Sequence, residues 1–99
     1  MKPNAMSPVY ALLVGGFAHG TVRAFAAPDK VPLLITLEDP TGHCVSYCVR
    51  RDLYSLGARP VGGEWREIEL AFMVDSCMPL PRDEQLALVA EARALADRR

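Results

Sequence analysis

The 99-residue chain is poor in most features that give a function away. Its cleanest apolar run, Val9–Val14, is far below the roughly 18–20 residues that a membrane-crossing helix needs. Its first residues lack the charged start, apolar stretch and small-residue cleavage site of a secretory signal. It has no marked excess of either charge: the formal net charge is −1. That argues against a protein whose affinity comes mainly from neutralising phosphates, although a local basic patch stays compatible with the balance. Three cysteines without a signal suit a reducing cytoplasm better than a disulfide scaffold. No repeat, low-complexity tract or linker divides the sequence, and this length suits one domain burying roughly 60–70% of its unfolded surface. Residues 1–8 hold two methionines and two prolines and read as a loose leader, with Met6 as an alternative start. Residues 9–99 read as a single domain.

What is present is strand, turn and one helix. Tyr10-Ala11-Leu12-Leu13-Val14 reads as a buried strand stopped by Gly15-Gly16. Thr21-Val22-Arg23-Ala24-Phe25 reads as its hairpin partner. Residues 26–32 read as a loop and 33–38 as another strand. Asp39-Pro40-Thr41-Gly42 fits a type I turn. After it Val45, Tyr47 and Val49 alternate with Cys44, Ser46 and Cys48, as an extended segment requires, and Leu53 and Tyr54 extend that strand or follow a bend. Residues 55–64, with three glycines and a proline, read as the longest loop. In 65–75, Ile68, Leu70, Phe72 and Val74 share a core face, while Glu67, Glu69 and Met73 share the opposite one. Residues 81–96 read as the helix: Asp83 and Glu84 lie at its start and Arg98-Arg99 beyond its end, as the macrodipole favours. Leu88, Val89, Ala92, Leu95 and Ala96 form an apolar stripe narrow enough for close approach to a sheet. The expected fold is α+β: a small antiparallel sheet of about five strands with one C-terminal helix packed on it.

None of the reactive groupings has the spacing its chemistry needs. Gly15-Gly16-Phe17-Ala18-His19-Gly20 resembles a phosphate loop in composition, but strand rather than helix follows it and the lysine and Ser/Thr of a nucleotide loop are missing. The glycines serve a hairpin connection instead. His19, His43, Cys44, Cys48 and Cys77 are zinc-ligand types. On a strand, however, Cys44 and Cys48 lie roughly 13 Å apart at ~3.3 Å per residue. That separation excludes one metal reached from both, and also a disulfide, which needs Cα atoms within ~7 Å. His43 and Cys44 are neighbours and so face opposite ways on a strand, and nothing in the sequence indicates that His19 or His43 approaches Cys77 as a thiol's base must. Glu67 and Glu69 share a face, but a solvated one. No catalytic residue, metal or cofactor is expected. The grouping that suits recognition is Arg50, Arg51, Arg59 and Arg66 around the long loop, with Tyr47, Tyr54 and Trp65 nearby. Arginine with aromatics serves protein interfaces and single-stranded nucleic acid. The binding candidates are therefore Arg50, Arg51, Arg59, Trp65 and Arg66, together with His19 at the glycine turn.

An apolar strand running into Val14-Gly15-Gly16-x-x-x-Gly20 and then Val22-x-x-Phe25 resembles the opening of a family of small phage-encoded proteins. The family form has proline after the glycine pair and aspartate before the last glycine, where this chain has Phe17 and His19. Val45-x-Tyr47-x-x-Arg50 resembles that family's tyrosine/arginine strand, and Ala71-Phe72-Met73-Val74 followed by Leu86-Ala87 resembles its last strand and helix. The resemblance implies a phage or prophage accessory protein made in a bacterial cytoplasm, and it brings no catalytic residue with it. The leading expectation is a non-enzymatic module that binds a host or phage protein, with inhibition of a host defence complex as one such task. The alternatives are single-stranded nucleic-acid binding through the arginine/aromatic rim, a small enzyme or ligand binder using His19, Cys77 or Asp75, and a virion component. The open edges of an antiparallel sheet also allow a homo-oligomer.

Overall fold

A computed structural model describes residues 9–51, 58–61 and 64–98. The expected leader, residues 1–8, and the continuation through Leu53 and Tyr54 lie outside them. The strands are β1 (Val9–Val14), β2 (Val22–Phe25), β3 (Leu34–Glu38), β4 (Cys44–Arg50), β5 (Ala58–Val61) and β6 (Glu64–Val74), and the helix is α1 (Arg82–Asp97). Short 3-10 turns occupy Pro28–Lys30 and Asp75–Cys77. The fold is α+β, and the sheet order is β2-β1-β6-β4-β3 with β5 paired to β6 off this path.

Two expectations about the sheet need correction. The sheet is mixed: β1 and β6 pair in parallel, with Leu12 opposite Ala71 and Val14 opposite Met73, while every other pairing is antiparallel. Parallel pairing is open to β1 and β6 because nearly fifty residues separate them, long enough for a crossover connection. The 55–64 segment also contains β5 in addition to loop. After β4 leaves its pairing with β6 at Arg50 opposite Ala71, the chain returns to β6 with Ala58 opposite Glu67. β5 therefore pairs with the part of β6 that precedes its pairing with β4.

The central strands are buried on both faces, as an uninterrupted apolar strand such as β1 requires. Leu12, Val14, Ala71 and Met73 pack under Val89, Ala92 and Ala96 of α1. On the opposite face Val9, Ala11, Leu13, Leu70, Phe72 and Val74 meet Tyr47, with Phe25, Val31, Ile35, Leu37, Val45 and Val49 around them. Met73, expected on the solvated face with Glu67 and Glu69, is fully buried beneath the helix.

The helix begins behind Pro81, carries Asp83 and Glu84 in its first turn and is followed by Arg98. Its start is held by Gln85, a buried residue whose Nε2 donates to the carbonyls of Met78 (2.7 Å) and Leu80 (2.9 Å). These bonds satisfy two carbonyls of the turn that leads into the helix. No helix among the described residues is long and apolar enough to cross a membrane.

Candidate functional site

Two polar side chains, Tyr47 and His19, meet at the glycine turn between β1 and β2, and both hold that turn. Gly15 and Gly16 have φ of +83° and +67°, the left-handed region that glycine occupies without strain. Space imposes the same choice. A Cβ on Gly15 would lie 2.5 Å from Val74 Cγ1, and one on Gly16 would lie 2.6 Å from the Tyr47 hydroxyl. That hydroxyl donates to the Gly15 carbonyl (2.7 Å) and accepts from the Ala18 amide (3.1 Å), closing the turn from β4. Burial pushes the Tyr47 phenol above its ordinary value, the Ala18 amide opposes this, and the neighbouring Cys77 thiol reinforces it.

His19 belongs to the same arrangement. Its Nδ1 accepts from the Gly15 amide at 2.6 Å, so the imidazole proton sits on Nε2, 2.9 Å from Glu91 Oε1 on α1. The approach of Nε2 to that carboxylate is close in distance but poorly directed for a hydrogen bond. Both ring nitrogens therefore face groups of the protein itself. His19, expected as a binding residue, links the turn to the helix.

The thiols do not converge with the imidazoles into a metal centre. β4 is extended, as the alternation of Val45, Tyr47 and Val49 requires, with Cys44 exposed and Cys48 half-buried on it. Cys77 lies after β6, where its Sγ would be 3.0 Å from a Cβ on Gly15. Among the described residues no group of three or more His, Cys, Asp and Glu side chains could hold a metal ion. Asp75 and Cys44 do line one open groove of about 420 Å³ with Val45, Ser46, Val74 and Ser76, but neither histidine is part of it. His43 instead faces Thr41, with Nδ1 at 2.8 Å from Oγ1.

Of the arginine and aromatic grouping, Tyr47 serves the glycine turn and Tyr54 lies outside the described residues. Arg50 ends β4, half-buried, with Nη1 3.5 Å from Met78 Sδ, and Arg51 follows it exposed to solvent. Beyond them β5 pairs with the first half of β6, placing Arg59 directly opposite Arg66 and Pro60 directly opposite Trp65. The other pairs of this ribbon are Ala58 with Glu67 and Val61 with Glu64. Five of the six binding candidates thus lie between the end of β4 and the first half of β6 in the chain. Sequence reading missed the Tyr47 hydroxyl, Glu91 and Gln85 as structural partners. Its only available signal was a glycine pair four residues ahead of Gly20, with a histidine between. Comparison with family models, curated proteins and solved structures gives no match. The likeness to phage-encoded proteins accordingly rests on the residues quoted for it.

Proposed function

We propose that this protein is a non-enzymatic, phage-type accessory module that acts in the bacterial cytoplasm by gripping a host or phage protein through the β5–β6 ribbon. The observation that carries the reading is the register of that ribbon, which sets Arg59 against Arg66. Like charges directly opposite on neighbouring strands destabilise a sheet. A conflict of that kind in an otherwise consistent sequence is expected where function demands it. Two arginines directly opposite in the register suit a carboxylate supplied by a partner, since arginine binds carboxylate through paired N–H donors. Trp65 is paired with Pro60 in the same short ribbon, and arginine and tryptophan are residue types that dominate binding energy at protein interfaces.

The arginine pair also suits a phosphate, which keeps single-stranded nucleic acid as the second reading. Glu64 and Glu67 share the ribbon with Arg59 and Arg66, leaving it without net charge, and the whole chain carries −1. A neutral ribbon favours a protein partner with its own mixed charges over a polyanion.

The test is affinity capture from bacterial lysate with the wild-type chain, Arg59→Ala, Arg66→Glu and Trp65→Ala, each checked for a melting temperature no lower than that of the wild type. A partner recovered by the wild type and lost with the three variants supports the reading. Recovery of no partner, or of one indifferent to all three changes, overturns it. A salt-sensitive gel shift with single-stranded oligonucleotide, abolished by Arg66→Glu, would move the assignment to nucleic acid.

A further inference from the structure

A second surface, remote in sequence from the ribbon, carries an inference of its own. β3 forms one edge of the sheet. The Val49 amide donates to the Leu33 carbonyl (2.9 Å) and the Asp39 amide to the His43 carbonyl (2.8 Å). In an antiparallel ladder these bonds fix the parity: residues 33, 35, 37 and 39 bond to β4. Leu34, Thr36 and Glu38 therefore aim their N–H and C=O groups away from the sheet. Beside this open row lie the most exposed large apolar residues of β3 and its approach, Leu33 at 78% and Leu34 at 49%. Among the described residues no strand pairs with this side of β3, and an edge with outward-aimed backbone groups and exposed leucines is a template for another strand.

We infer that the strand it takes is β3 of a second copy, paired antiparallel about a two-fold axis at Ile35. The argument is self-complementarity. Outward-aimed residues must pair with outward-aimed residues, and an axis at Ile35 sets Leu34 opposite Thr36 of the second copy, twice. It also sets Ile35 opposite itself and Leu33 opposite Leu37, so each apolar residue meets an apolar or β-branched one. Glu38 falls opposite Pro32 and meets no like charge. An axis at Thr36, the next register with the same parity, would place Leu34 against Glu38 and Leu33 against Asp39. The first register covers both exposed leucines with uncharged residues and continues the Ile35–Leu37 side of the core from one copy into the other. Strands of this length bury less than the roughly 800 Å² per partner of a standard interface, so the dimer is weak and concentration-dependent.

The test is sedimentation velocity of the wild-type chain, Thr36→Pro and Leu33→Glu from about ten micromolar to about one millimolar, a span that brackets weak association. The Thr36 N–H is not used by β4, so proline there removes only the outward donor, which edge strands tolerate. Leu33 is exposed enough that Leu33→Glu leaves the monomer's packing intact. The expected result is a wild-type average mass rising from 10.8 kDa toward twice that value, and at least a tenfold weaker association in both variants. A wild type that stays at single-chain mass throughout overturns the inference. So does an association equally strong in Leu33→Glu, and this variant alone decides the matter should Thr36→Pro fail to fold.

Discussion

At the scale of single residues, Tyr47 has the largest structural role. Its hydroxyl is buried and serves both Gly15 and Ala18, so Tyr47→Phe leaves a carbonyl and an amide unpaired in the interior. Leaving a buried polar group unsatisfied costs about 1–3 kcal/mol. At about 4–8 °C per kcal/mol for a domain of this size, the melting temperature should fall by roughly 10 °C. Thermal unfolding followed by circular dichroism checks this, and an unchanged midpoint would show that the turn does not depend on the phenol. Asp39 provides a pH test. Its Oδ1 accepts from Thr41 Oγ1 and from the amides of Thr41 and His43, and these bonds hold its carboxyl below the ordinary value, with the Thr41 hydroxyl contributing most. A lowered carboxyl favours the folded turn. Its contribution is present above the unfolded carboxylate range near pH ~3.9 and is lost as pH falls through the folded value. The amide resonances of Thr41 and His43 should hold their positions down to that range and move only below it, which an NMR titration reads directly.

At the scale of elements, the helix and every described strand but β5 were readable from spacing alone, while their surroundings were not. The stripe of Val89, Ala92 and Ala96 is the face that meets the sheet, and its small residues set how close α1 can lie. Ala92 is fully buried, and its carbonyl would lie 3.4 Å from a Cβ on Gly20. Ala92→Leu therefore has no space to enter and should destabilise by about 1–3 kcal/mol through overpacking. Urea titration should show a lower midpoint with an unchanged slope. The extended form of β4 followed from the alternation of Val45, Tyr47 and Val49. What β4 does with Tyr47 did not follow, because the hydroxyl's partner is 32 positions away in the chain. Met73 was misplaced for a related reason. Alternation separates two faces of a strand, but it does not say that a helix will cover the second one. Gln85 was silent in the sequence because a polar residue on an apolar stripe gives no sign of the carbonyls it will meet.

At the scale of the whole molecule, the class of fold followed from the order of strand and helix signals, while the parallel pairing of β1 with β6 joins segments too distant for any local pattern to record. This topology decides where chemistry can reside. It buries both faces of the central strands, closes the glycine turn with Tyr47 and His19, and leaves β3 at the end of the strand order. In the proposal the β5–β6 ribbon meets the partner and the β3 edge meets a second copy. Partner binding at the ribbon is checked by hydrogen–deuterium exchange of the chain alone and saturated with its captured partner. Slowed exchange is expected in residues 58–61 and 64–67, with the glycine turn unchanged. Protection confined to the glycine turn or to the groove of Cys44 and Asp75, with the ribbon unaffected, would refute binding through the ribbon.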